Sequence, residues 1–472
     1  MAGLCALARR CGWRRQRARI ECSAGPLLAS CREFVSRLMP GVAMRRCCFF
    51  FVVSTVALLG QVPARSADNW PQWRGPGGTG IAAEGAYPVT FSDKQNVLWK
   101  AKLSGRGSST PVVWDDAVFV TALVDGQDAL ACYTLAGEKK WEKAFGPGRE
   151  GKHRNGTGAN PSPATDGQCV VAYYKSGRVA CLDFEGNERW QLNLQEKYGK
   201  DTLWWDLGTS PIIVGDNVII AVMHAGEGYL VALDLKSGDV AWKQDRTYER
   251  PEEADQAYTT PQLVNIDGRD VIVVWGADHL TGHDPATGEK LWESGNFNPQ
   301  NETYFRVIAS HVAGDGVAVV PFGRGKSLAG VKLGGQGDVT QSSRLWTKEG
   351  DAGADVPTPV IHAGKAFVLG DSGVLTCRQL TTGDEVWTGR LPRHRDKYYA
   401  SPVLAGGKLY CTREDGTVFV VDVTNGFKRL AENHMGERII ATPVPVRNSL
   451  LIRGEEHLFR ISEEDAPQVT AN

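Results

Sequence analysis

The 472-residue chain has no Cys-x-x-Cys-His sequence, which excludes covalently attached haem. Long apolar runs are missing too: the stretch 47–59 falls short of the roughly 20 residues that a membrane span needs. No Leu-x-Gly-Cys-like site precedes Cys47 or Cys48, which argues against a lipid anchor. Basic charge is scarce once the first 67 residues are set aside. Those hold eleven Arg and two Glu of the chain's 53 basic and 54 acidic residues, leaving 42 against 52, about −10 net. Nucleic acid is disfavoured as a partner, since phosphate binding needs concentrated positive charge. Cysteine is also thin there: five of 11 lie beyond residue 67.

Residues 1–43 carry eight Arg, no Lys and no convincing period. Met44-Arg45-Arg46 followed by the apolar stretch looks like the start of a secretory signal, with cleavage after Ala64 or Ser66. We therefore expect a leader over 1–67 and a secreted or periplasmic protein, a signal anchor being the alternative. A short N-terminal approach segment, 68–95, follows.

From about residue 100 onward the chain repeats one unit. It reads apolar-x-small-apolar-Asp, then Gly four residues on, then Trp four residues further. Leu230-Val231-Ala232-Leu233-Asp234, Gly238 and Trp242 form the cleanest copy. Asp284, Gly288 and Trp292 repeat it; Gln379, Gly383 and Trp387 replace the Asp; Asp422 and Gly426 have Leu430 in the Trp place. Gly137/Trp141 and Gly186/Trp190 keep the Gly-to-Trp step. Alternating Val, Leu and Ile suit a strand, and Asp with Ser-Gly or Thr-Gly suits a tight turn. Upstream of each hairpin stands Ser/Thr-Pro, at Thr110, Ser162, Ser210, Thr260, Thr358, Ser401 and Thr442, with Ser310-His311 in the remaining place. Proline there opens a strand without costing a ladder hydrogen bond. A period of about 40–50 residues and four strands per unit predict a β-propeller.

The marks predict eight four-stranded antiparallel blades over 96–463, all-β, with the fifth degenerate and 464–472 a tail. The last blade lacks one strand, and the segment around Trp99 is expected to supply it, removing an open edge. Trp99, Trp141, Trp190, Trp242, Trp292, Trp346 and Trp387 are the structural repeat tryptophans.

The repeat resembles that of the pyrroloquinoline-quinone (PQQ)-like β-propellers, over about 68–463. Asn69-Trp70-Pro71-Gln72-Trp73-Arg74-Gly75-Pro76 resembles the approach segment of their secreted bacterial members. The resemblance implies an eight-bladed ring in which each Trp docks between neighbouring blades. It does not fix function, because the family holds alcohol dehydrogenases and assembly factors of the BamB type alike.

Several motifs are better read as structure. Gly325-Lys326-Ser327 lacks the earlier Gly of a phosphate loop, Val320 standing there, and reads as a β-turn. His279 and His283 fall on a predicted strand, where four residues span about 13 Å, too far for one zinc. The repeat Asp residues, Asp183, Asp234, Asp284 and Asp422, are expected to bond their own turns. Cys132, Cys181 and Cys377 occupy the small position as buried thiols. Cys169 and Cys181 sit on opposite arms of a hairpin centred near Lys175, leaving one disulfide open as an alternative.

The crossovers between each Trp and the next Ser/Thr-Pro are expected on one face. They carry the candidate binding residues: His153, Arg154, Asn155, Trp204, Trp205, Asp206, Arg246, Arg306, His394, Arg395, Tyr398 and Tyr399. Aromatic, Arg, His and carboxylate side chains together compose a recognition surface. The expected function is a non-catalytic, monomeric platform for a protein, peptide or polysaccharide, with no cofactor and no resident metal.

The alternative is an alcohol- or polyol-oxidising quinoprotein with PQQ and Ca²⁺. There Trp204 or Trp205 would stack, Asp206 would act as base or metal ligand, and Arg306 would hold a carboxylate. The adjacent Cys pair of the dehydrogenase branch is absent from the propeller. Sugar binding or cleavage, with Asp201 beside Asp206, is a third possibility.

Overall fold

The structure, a computed structural model, describes residues 69–463. The leader, its cleavage sites and the tail 464–472 lie outside the described residues. Eight sheets follow one another in chain order, each antiparallel in its four principal strands. We number the blades 1 to 8: 112–147, 164–193, 212–245, 262–294, 312–348, 360–390, 403–434, and 444–461 with Val97–Lys102. That last strand pairs antiparallel with His457–Ile461, so the ring closes through the segment of Trp99, as expected.

Burial explains the strand composition. In blade 3 the middle strands Asn217–Val222 and Tyr229–Asp234 are buried along almost their whole length, because other blades cover both faces of the sheet. The outer strand Val240–Asp245 alternates half-buried and exposed positions, and is correspondingly polar. The repeat Asp residues hold their turns. Asp234 accepts from the backbone N–H groups of Lys236 and Ser237, and Asp183 from those of Glu185 and Asn187.

The small position has a steric cause. Cys132 lies directly across from Trp141, Cys181 from Trp190, Ala232 from Trp242, Gly282 from Trp292, Gly330 from Trp346 and Cys377 from Trp387. The indole lies over that residue and reaches the next blade. Trp141 donates to Phe184 O, Trp190 to Leu235 O, Trp242 to Pro285 O and Trp346 to Leu380 O.

Blade 5 breaks the rule. Between Ser327–Lys332 and Arg344–Lys348 an excursion replaces the repeat turn, and its Gly337–Asp338 pairs parallel with Trp292 and Glu293 as a fifth strand on blade 4. Trp292 Nε1 is left buried without an acceptor.

The hairpin of Cys169 pairs it with Asp183, and Cys181 with Val171. The two cysteines are therefore not directly opposed, and Cys132, Cys169, Cys181, Cys377 and Cys411 are all buried free thiols. His283 is buried between Gly288 O and Thr281 Oγ1, and His279 stacks on Tyr248 at 3.8 Å. Neither side chain is left for a shared metal. Gly323–Lys326 is a turn, closed by Lys326 N–H on Gly323 O.

Candidate functional site: a blind cup at the loop end of the ring

The approach segment closes one end of the channel. Trp70 exchanges both backbone hydrogen bonds with Val113 of blade 1, and Pro71 O accepts from Thr165 N–H of blade 2. Gln262 of blade 4 donates to Gly77 O, and Ile81 runs parallel to Leu404 of blade 7. Arg74 is the pin. It is wholly buried, with no carboxylate partner among its contacts, and donates to Thr358 O, Pro359 O, Pro402 O and Thr79 O. Burial alone lowers its pKa to about 9, so it stays protonated at neutral pH.

The result is a cup of about 420 Å³, floored by Trp73 and open at the end that carries the crossovers. Its wall starts from the eight Ser/Thr marks. All eight border the cavity: Thr110, Ser162, Ser210, Thr260, Ser310, Thr358, Ser401 and Thr442. They also tie blade to blade. Thr110 N–H donates to Ser162 Oγ, Ser162 to Ser210, Ser210 to Thr260, Thr260 to Ser310, Ser310 to Thr358 and Thr358 to Ser401. At seven of the eight the following residue is proline, which has no N–H and so adds no unpaired donor to the inner wall; His311 follows Ser310.

Six of the twelve candidates border the cup: His153, Asn155, Trp205, Asp206, Arg306 and Tyr399. The others do not. Arg246 is buried beneath the rim, donating to Gly276 O, His279 O and Thr281 Oγ1. Tyr398 is buried against Phe419 in blade 7. Trp204 is 59% exposed on the rim, with the Lys152 ammonium 5.4 Å from its ring. His394 faces Asp396 at 3.3 Å, and the Arg395 side chain is 90% exposed. Arg154 crosses to Glu414 of blade 7 at 2.7 Å.

Sequence reasoning missed Trp73, Tyr258, Arg324, Asp355 and the hydroxyl ring. For Arg324 the signal lay in the hairpin tips between second and third strands, which share the crossover face and also supply Lys175 and Asp371; Tyr258 and Asp355 sit in crossovers and Trp73 in the approach segment.

The deeper charges around the cup are spent on one another. Asp206 accepts from the backbone N–H of Lys152 and His153 and pairs with the buried Lys175 ammonium. Arg306 pairs with Glu253 at 2.8 Å and lies 5.3 Å from the Trp205 ring. Arg324 faces Asp355 at 4.0 Å. Burial raises Asp355 above the usual carboxylate range and Asp371, which accepts from its backbone N–H, to about 6. Asp201, the other carboxylate of the sugar-cleaving alternative, is bound by Arg149 at 2.7 Å and by Gln195.

This arrangement does not suit a metal-bound quinone. Both Asp206 oxygens already accept hydrogen bonds from the protein, so neither is open to a cation. Of the two candidate stacking rings, Trp204 is outside the cup and Trp205 at its wall has the Arg306 guanidinium 5.3 Å away. Among the described residues, the two groups with metal-ligand spacing are His394/Asp396/Asp415 and Glu437/Glu456/His457, and none of these borders the cavity.

Among known proteins, the family model described as outer membrane protein assembly factor BamB matches residues 81–251 and 220–429. The BamB of Burkholderia pseudomallei (strain K96243) is 24% identical over 365 residues, 68% of this chain and 86% of that protein. Escherichia coli (strain K12) BamB is 25% identical over 318 residues, 65% and 75% of the two chains. In structure, BamB from Moraxella catarrhalis superposes with a TM-score of 0.56 at 15% identity, over 79% of this chain and 98% of that one. A europium-containing methanol dehydrogenase superposes with 0.62 at 12% identity, over 83% and 91%. Likeness at that identity speaks for the fold alone. With the repeat, the eight blades and a model that matches most of its length, the chain belongs to the PQQ-like β-propeller family.

Proposed function

We propose that this protein is an extracytoplasmic, non-catalytic platform that holds a partner macromolecule, protein or polysaccharide, at the loop end of the ring. The observation that carries this reading is the pairing of the cup's charged groups. A general base or metal ligand must be free to change partners, and Asp206 and Arg306 are each committed to a partner within the protein. A rigid wall with loops of varied length around one mouth is the usual architecture of a recognition surface. The relatives named as assembly factors support the same reading.

The test is direct. Purified protein is mixed with PQQ and Ca²⁺, and its thermal unfolding and dye-linked alcohol oxidation are followed. A specific site filled at 100 times its dissociation constant stabilises the fold by about 2.7 kcal/mol. No shift and no turnover are expected; a clear shift with turnover would replace the platform by an oxidoreductase.

A further inference from the structure

We propose that the cup receives the uncharged end of a saccharide chain. This rests on the preceding reading of the loop end as a binding site, and adds the class of ligand.

Geometry comes first. With Trp73 at the floor, on the segment that Arg74 pins across the ring, a polymer enters only by its end. A polypeptide end carries an ammonium or a carboxylate unless it is blocked, and such a group needs a free counter-charge at depth. None stands free at depth: Arg306 is held by Glu253 and Asp206 by Lys175, while the looser Arg324–Asp355 pair, 4.0 Å apart, is the more exposed one, Arg324 standing half exposed on its hairpin tip. Burying an unpaired terminal charge there would be costly.

What the depth offers is hydroxyl. Six ring oxygens accept a backbone N–H from the blade before them, from Ser162 round to Ser401. An oxygen that accepts in this way still carries its own O–H to donate. Neutral donors at fixed spacing, next to the aromatic rings of Trp73, Trp205, Tyr258 and Tyr399, match a sugar. Its hydroxyls accept and donate at once, and its C–H faces pack on aromatic rings. The volume, about 420 Å³, lies in the range of small-ligand sites.

Outside the mouth, the chain beyond the end unit meets Trp204 and Tyr304, 59% and 48% exposed, on neighbouring loops. Those loops are joined: Trp204 N–H donates to Gln256, and Tyr304 N–H to Glu252 O.

The experiment is calorimetric titration of the full protein with linear neutral tetrasaccharides of glucose and N-acetylglucosamine. Controls are a cyclic glucan without an end, a tetragalacturonate, and a tetrapeptide free or blocked at both termini. Binding of a linear neutral chain is expected, with no binding of the cyclic or charged ones. Tyr399→Ala and Trp205→Ala should weaken it at least tenfold. Trp204→Ala, on the exposed rim, should weaken tetrasaccharide but not disaccharide, which holds even if Trp205→Ala fails to fold.

Equal binding of the cyclic glucan would overturn end-on entry. Binding of the peptide or the charged oligosaccharide alone would overturn the ligand class and leave the platform standing. Silence from every probe would overturn the saccharide end as the ligand and leave the platform reading to its own test.

Discussion

The indole of Trp99 lies against Gly137 and donates its Nε1–H to Leu135 O, so the most N-terminal strand of blade 8 is fastened to the repeat turn of blade 1. The same lock recurs between blades 1 and 2, 2 and 3, 3 and 4, and 5 and 6, but here it joins the two ends of the ring.

Gly137 therefore carries two burdens. Its φ is +92°, and a Cβ would fall 2.5 Å from the Trp99 ring. Gly137→Ala should cost roughly 2–5 kcal/mol, combining overpacking with backbone strain. Gly426→Ala, at φ +127° with nothing within 4 Å, should cost only about 1–2 kcal/mol from the backbone. Urea denaturation of the two variants compares them; equal losses would remove the Trp contact from the account.

The thiols should be silent in the native state. Burial pushes Cys132 and Cys411 up to about 12 and Cys377 to about 11, and the thiolate is the reactive form. A thiol reagent should label none of the five until the protein unfolds. Cys377→Leu, which crowds Trp387 across the strand pair, should cost about 1–3 kcal/mol, and Cys377→Ala less.

Lys175 and Asp206 are each about one-twentieth exposed at the side chain. Lys175→Met leaves the carboxylate buried without its counter-charge, and a loss of about 3–5 kcal/mol is expected. Adding Asp206→Asn should recover part of it. A double variant no more stable than Lys175→Met in urea would show that the charge itself is not the cause.

Two buried histidines set an acid limb. Burial lowers His311 to about 3 and His283 to about 4, against about 6.5 in the unfolded chain. The unfolded state thus binds protons that the folded state refuses. Stability is complete above about pH 6.5 and is lost progressively down to about pH 4 for His283 and about pH 3 for His311. His311→Leu should move the acid-unfolding midpoint to lower pH; an unchanged midpoint would remove His311 as a contributor.

The ring was legible because its signal is periodic and local. An Asp-Gly turn and the Trp beyond it lie within one hairpin, and Trp99 stands out as a copy displaced to the other end. The fifth blade was correctly marked as irregular by Ser310-His311, but its link to blade 4 through Gly337 was invisible, since no pattern announces a two-residue parallel pair. The cup was half legible. Tyr398 and Tyr399 are neighbours in the chain, yet one is buried in the blade and the other borders the cavity; an irregular loop has no period to fix which. Arg246 looked like a rim cation, but four residues that accept or pack against it come from blade 4 and its turns. The Ser/Thr-Pro marks were read for their proline, whereas the hydroxyls acquire meaning only when the eight copies meet on one axis.

A bore stopped at one end, as the segment that Arg74 pins stops this one, is a berth rather than a passage. Nothing can be threaded through it, and an occupant departs by the mouth through which it arrived. Its dwell time is set by a single exit, which a second molecule bridging the rim loops would be able to bolt.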